Sequence, residues 1–179
     1  LGEALLLAGG TGITSVITGD TVTFNIDSTV TTLTGTQTLT NKKLQLDCAP
    51  AADVSANGIT GSLTAHENVA FGDVCYINAS GEAQIIDADA IASMNGLVMA
   101  IATISADAAG LFLFMGVARN NAWNWTVGGK IYGTVTGTTT NTLSQTAPTA
   151  TTDVVQVLGV ALNADYMYFN PQLSQTEIL

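Results

Sequence analysis

The sequence predicts an all-β protein, an extended and intertwined N-terminal stem followed by a β-sandwich or barrel. Three observations carry this. Short apolar or Thr-rich runs recur with turn residues between them at roughly 8–12-residue spacing, as sandwiches and barrels require. Val22, Phe24 and Ile26 alternate with Thr21, Thr23 and Asn25, which in a strand of period two buries one face and wets the other. The stretch Thr31 to Leu44, TTLTGTQTLTNKKL, is rich in Thr, whose stiff β-branched side chain favours extended backbone. Gly35 and Asn41-Lys42 interrupt that stretch. Its apolar residues Leu33, Leu39 and Leu44 are too sparse to build a core within one chain, so neighbouring copies are expected to cover them.

Taken in order, Leu1 to Ala8 is an apolar lead-in and Gly9-Gly10-Thr11-Gly12 a loop. Leu5-Leu6-Leu7-Ala8 is too short for a signal peptide and lacks a basic start. A start on Leu1 suggests a processed or partial chain. Ile13–Thr18 and Thr21–Asp27 are expected as a hairpin around Gly19-Asp20, a turn that uses the positive φ open to Gly. Residues 1–46 form the predicted stem or anchoring arm, and 47–65 a linker with Pro50, Asn57-Gly58 and Gly61 as its breakers. Residues 66–171 form the globular domain. Strands are expected at Asp73–Ile77, Glu82–Ile86, Leu97–Ile104, Leu111–Ala118, Lys130–Thr136, Thr142–Gln145, Val154–Leu162 and Tyr166–Phe169. A short helical turn is expected within Asp87–Asn95, capped by Asp87. Residues 172–179 are expected as a tail.

Composition narrows the function. Of 179 residues only 10% are charged while 47% are hydrophobic, against roughly 25% charged in an average soluble domain. A monomer has too few charges to solvate its surface, so it is expected to bury surface in an oligomer or a membrane. The best membrane candidate, Gly96–Ala118, is split by Ser105–Gly110 into runs shorter than the ~18–20 residues a span needs, which favours oligomeric burial. The formal charge is −10, with Lys42, Lys43, Arg119 and Lys130 the only cations. Nucleic acid requires basic patches that replace phosphate counterions, so it is not an expected partner. Cys48 and Cys75 have no CxxC or Cys/His spacing and read as free thiols.

The words of the Thr-rich stretch are familiar. LTGTQTLTNKKL resembles a phrase recurrent in tail-fibre and related virion proteins of tailed bacteriophages, usually ending Asn-Lys-Thr-Leu; Lys43 replaces that Thr here. Gly9–Ile13 and Gly19–Thr23 are similar to the upstream part of such fibres. The order Gly72-Asp73-Val74, Gly81-Glu82, Ala88-Asp89-Ala90, Gly110-Leu111-Phe112, Gly116–Arg119, Thr126–Tyr132, Gly159–Ala161 and Tyr168-Phe169 resembles a β domain at the ends of phage fibres. It is also similar in layout to small capsid-decorating proteins. The resemblance implies a homotrimeric, non-enzymatic structural protein on the outside of a phage particle, assembled in the bacterial cytoplasm. Other virion proteins, and a host surface glycan or protein, are the implied partners. A capsid decoration or head-fibre protein that stabilises the shell is the alternative.

Residues with chemistry are few. Trp123 and Trp125 with Asn121, Asn124 and Arg119 form the best binding candidate. In a strand the two indoles share a face, aromatic faces with amides suit sugar CH surfaces and hydroxyls, and Arg119 offers a carboxylate contact. Filling the core or a subunit seam is the plainer role for both rings. Asp87 and Asp89 have the spacing of paired carboxylates for a polysaccharide depolymerase, but such a pair more often caps a turn. His66-Glu67 is the single His beside an acid, insufficient for a zinc site or a triad. Gly9–Gly12 and Gly128-Gly129-Lys130 lack the phosphate-loop pattern. Tyr166 and Tyr168 share a strand face. No catalytic residue, metal ligand or cofactor is assigned.

Overall fold

The computed structural model describes residues 12–26, 43, 45–135 and 142–179. Leu33, Leu39 and Leu44, and with them the stem prediction, lie outside the described residues. The chain divides into two units, Leu1–Leu44 and Gln45–Leu179.

In the first unit, β1 (Ile13–Thr18) and β2 (Thr21–Ile26) pair antiparallel, with Thr18 opposite Thr21. Gly19 takes φ +59° in the two-residue turn, a conformation that L side chains rarely adopt. The hairpin matches its predicted register, but its apolar face is exposed: Ile17 is 63% and Ile26 64% exposed, and Ile13 and Phe24 are about half exposed, as is Val16 on the opposite face. Alternation places side chains on faces; it does not supply the layer that covers them.

The second unit is all-β. Its main sheet curls into a half-barrel. The strands are β3 (Ser55–Thr64), β4 (Val74–Ile77), β5 (Ala83–Ile85), β6 (Val98–Ala100), β7 (Ala109–Arg119), β8 (Lys130–Gly133), β9 (Leu143–Ser144), β11 (Val157–Ala161) and β12 (Tyr166–Phe169), joined as β5-β4-β6-β7-β12-β11-β8-β9 with β3 on β7. A separate ribbon pairs β10 (Val154–Val155) with β13 (Thr176–Glu177). A 3-10 turn spans Ile91–Met94; Ala90 precedes it and makes no side-chain cap.

Strand β7 organises this unit. One edge pairs with β3, from Ser55↔Arg119 to Thr64↔Ala109. The other edge is divided: β6 takes Phe112 and Leu113, and β12 takes Gly116 to Arg119. Between them Phe114 is a bulge, because Ile59 faces Met115 and Thr60 faces Leu113. A bulge bends its strand and tightens the twist, which lets one strand serve two partners. Gly58 faces Gly116 beside it. A Cβ on Gly58 would stand 2.2 Å from the Met115 carbonyl, and one on Gly116 2.1 Å from the Asn57 carbonyl, so both positions need glycine.

Alternation sends side chains into two cores. Val74, Met99, Leu113, Ile131, Leu158, Met167 and Phe169 fill the larger one. Cys75, Val98, Ala100, Ile104 and Phe112 fill the smaller one. Each large apolar side chain fully buried this way contributes roughly 1.5–3 kcal/mol.

Three boundaries differ from expectation. The predicted linker 47–65 contains β3, whose Ser, Gly and Thr residues are held by the β7 ladder rather than by a pattern of their own. The residues before β3 are fastened too. The Asp47 amide donates to Asn57 Oδ1 at 3.1 Å and Asn57 Nδ2 donates to the Asp47 carbonyl at 2.7 Å. The predicted tail 172–179 contains β13, paired with β10. The single strand expected over Val154–Leu162 breaks at Gln156, between β10 and β11.

Candidate functional site

The residues Asn120 to Gly129 link β7 to β8 without forming a strand. Local hydrogen bonds explain why. Asn120 Oδ1 accepts from the Ala122 amide at 2.9 Å, and the Asn120 carbonyl accepts from the Trp123 amide at 3.0 Å. Such an Asx turn offers the backbone an alternative to a ladder. The Trp125 amide then donates to the Ala164 carbonyl at 2.9 Å. The Gln145 amide brackets Thr126, accepting from its N–H at 2.7 Å and donating to its carbonyl at 2.8 Å.

This path gathers three rings. Trp123 and Trp125 stand 5.6 Å apart, tilted by 45°, and Phe71 lies 6.3 Å from Trp123. These are spacings of attractive, offset aromatic pairs. All three are part-buried against the larger core. Trp123 also packs on Gly72, where a Cβ would meet its Cζ2 at 3.3 Å. The indole N–H of Trp125 is buried and has no hydrogen-bond partner. The rings therefore make a rim of the core rather than the one-sided strand face predicted for them.

Arg119 ends β7. Its Nη1 donates to the Pro50 and Ala51 carbonyls at 2.8 and 2.9 Å, and its Nε to Asn121 Oδ1 at 2.9 Å. Its guanidinium lies 5.1 Å from the Tyr166 ring centroid, within cation–π range. The Asn121 amide donates to Asp53 Oδ1 at 2.8 Å. Arg119 and Asn121 thus clamp the segment before β3 to the sheet, and the carboxylate contact predicted for Arg119 is replaced by backbone carbonyls. Of the five predicted binding residues, Trp123 and Trp125 come together, Arg119 and Asn121 form this clamp, and Asn124 is exposed.

The other candidates resolve into turns. Asp87 Oδ1 accepts the Asp89 amide at 3.4 Å, so this pair shapes a turn before Ile91. His66 pairs with Glu82 and not with adjacent Glu67: Nδ1 and Oε2 are 2.8 Å apart. Glu82 also accepts from Asn78 Nδ2 at 3.1 Å. Hydrogen bonds from Asn78 and then His66 hold the Glu82 carboxyl below its ordinary range. Glu67 instead accepts the Ile85 amide at 3.2 Å. Among the described residues no group of three His, Cys, Asp or Glu is arranged to hold a metal ion, and no helix is long and apolar enough to cross a membrane. Sequence reasoning missed Phe71, which no local pattern sets beside Trp123.

No protein-family model matches the chain, and no curated protein matches it.

Proposed function

We propose that this chain is a non-enzymatic structural protein of a tailed-phage virion, a homotrimeric fibre component on the particle exterior that contributes to host attachment. The observation that carries the assembly part is the hairpin β1–β2, which exposes Ile13, Ile17, Phe24 and Ile26 on one face in a chain with 10% charged residues. An isolated two-stranded hairpin is marginal in water, and contiguous exposed apolar surface marks an interaction site. Three copies winding their N-terminal segments together would cover that face. The resemblance of Thr31–Leu44 to phage-fibre phrases supplies the particle. The part-buried Trp123–Trp125 rim, with Asn124 exposed beside it, supports a contact with a host glycan or protein.

Native mass spectrometry tests the assembly: three chains of 18.3 kDa should appear together at about 55 kDa as a closed cyclic oligomer. A monomer overturns the proposal. Antibody labelling in negative-stain images should decorate the tail; labelling on the head would replace the fibre with a capsid decoration protein. Trp123→Ala and Trp125→Ala should reduce adsorption to host cells with the trimer intact. Unchanged adsorption would make the indoles structural.

A further inference from the structure

The chain holds two Asn-Gly pairs, Asn57-Gly58 and Asn95-Gly96. In such a pair the following backbone nitrogen can attack the side-chain amide, because Gly has no side chain to shield that nitrogen or to limit the rotation that brings it in. The fold treats the two pairs oppositely.

Asn57 is locked. It lies within β3, opposite Val117 of β7. One residue takes both ends of its side-chain amide: Oδ1 accepts the Asp47 N–H at 3.1 Å and Nδ2 donates to the Asp47 carbonyl at 2.7 Å. Gly58 is pressed against Gly116, where a Cβ on it would stand 2.6 Å from the Gly116 Cα. The Gly58 nitrogen therefore reaches Asn57 Cγ only if β3 leaves β7. Asn95 is not held in this way. It follows the 3-10 turn Ile91–Met94, belongs to no strand, and is exposed together with Gly96. Gly96 takes φ +64°, and among the described residues its N–H donates to no acceptor. The Asn95 Nδ2 donates to the Ile91 carbonyl at 3.2 Å, and Oδ1 accepts from Gln175 Nε2 at 3.4 Å. Both bonds are longer than the usual length of about 2.9–3.0 Å.

We propose that Asn95 is a spontaneous deamidation site of the folded chain, with water as the co-reactant, and that the β3–β7 ladder spares Asn57. The Gly96 nitrogen attacks Asn95 Cγ and a C–N bond forms. The Gly96 proton passes to Nδ2, which leaves as ammonia, and a five-membered succinimide remains. Water then adds to either ring carbonyl, that C–N bond breaks, and the nitrogen regains a proton. The products are aspartate and isoaspartate. Either one places a carboxylate in a cleft whose lining has no ionisable side chain. The Ile91 carbonyl, which accepted from Nδ2, then faces a carboxylate oxygen. Isoaspartate also adds a methylene to the main chain beside the Asn95 carbonyl, which accepts the Ile77 N–H at 3.1 Å. Ageing thus acts on the tie between the 3-10 turn and β4. The proposal stands without the virion role.

The test is storage of the full chain at mildly alkaline pH in water enriched in heavy oxygen, with both pairs followed by peptide mapping and mass spectrometry. The Asn95 peptide should gain aspartate and isoaspartate carrying the heavy oxygen. Its rate should exceed that of the Asn57 peptide by roughly tenfold or more, since Asn57 reacts only through opening of the ladder. In urea, where no ladder exists, the two rates should converge. Asn95→Gln, at an exposed position, should remove the signal at that site, because Gln must close a six-membered ring, and should leave Asn57 unchanged. The proposal is overturned if Asn95 does not convert in the folded chain, if Asn57 converts as fast, or if the product lacks the heavy oxygen. A rate ratio that persists in urea also overturns it, because the difference would then belong to the flanking sequence and not to the fold.

Discussion

Gly116→Ala tests the close approach of β3 to β7. The new Cβ would stand 2.1 Å from the Asn57 carbonyl, whereas ordinary contact begins at 3.4 Å, so β3 must retreat by about 1.3 Å. The obstacle is backbone, and no rotamer relieves it. Ladder bonds near the usual 2.9 Å would open beyond hydrogen-bonding range. Losing two of them costs about 2 kcal/mol, and overpacking adds about 1–3 kcal/mol. The sum, about 3–5 kcal/mol, is a large share of a domain's usual 5–15 kcal/mol. With a urea slope near 2 kcal/mol/M the midpoint should fall by roughly 1.5–2.5 M. Tryptophan fluorescence is the probe, because Trp123 and Trp125 both belong to the unit that contains β7. Protein concentration is held fixed, since assembly shifts apparent stability. Ser62→Ala, at an exposed β3 position, is the control and should move stability by less than about 0.5 kcal/mol. An unchanged midpoint and slope for Gly116→Ala would refute the account of the Gly58–Gly116 crossing.

Arg119→Ala removes two carbonyl bonds, the Asn121 bond and the Tyr166 contact; a loss of about 2–4 kcal/mol is expected, with faster proteolysis around Pro50, and unchanged proteolysis would show that the clamp is dispensable. Burial first, then the charges of Asp73 and Glu67, push the Cys75 thiol up to about 12, while Cys48 is exposed. A thiol reagent at neutral pH should therefore titrate one cysteine in the native chain and two in denaturant; two native equivalents would contradict the burial. For Glu82 the folded pKa lies below the ordinary 4.5, so its stabilisation is complete above that value and is lost as pH falls through the lower folded one. The stability difference between the parent and Glu82→Gln should accordingly shrink as pH falls below 4.5; a difference independent of pH would remove His66–Glu82–Asn78 as its source.

Sequence served well where local chemistry decides the outcome. The strands Ile13–Thr18 and Tyr166–Phe169 have the predicted bounds and the turn falls at Gly19, because a positive-φ glycine and an apolar–polar alternation act over a few residues. It failed at β3, where Ser55–Thr64 has little apolar content and the ladder partner lies far along the chain. It failed again at Trp123 and Trp125: spacing of two implies a shared face only in a strand, and the Asn120 side chain takes the backbone out of one. Of the candidate site, the residue types were legible, whereas Phe71 and the clamp by Arg119 depend on tertiary placement. The strand break at Gln156 was hidden inside an apolar run, since periodicity carries no information about a single buried amide.

The divided edge of β7 also sets an order of events in time. The closest β3–β7 pair, Thr64↔Ala109, is separated by 45 positions, and the β12 pairing begins with Tyr166 opposite Arg119, 47 positions further on. Such distant pairings make folding slow, in the millisecond-to-second range. At about 5–20 residues synthesised per second, β3 emerges roughly 2–9 s before its partner exists. During that wait it is an uncharged strand among other nascent copies. Gly58, Gly61 and Asn57 make it a poor template for self-pairing. The same composition that conceals β3 from pattern reading also keeps it soluble until β7 arrives.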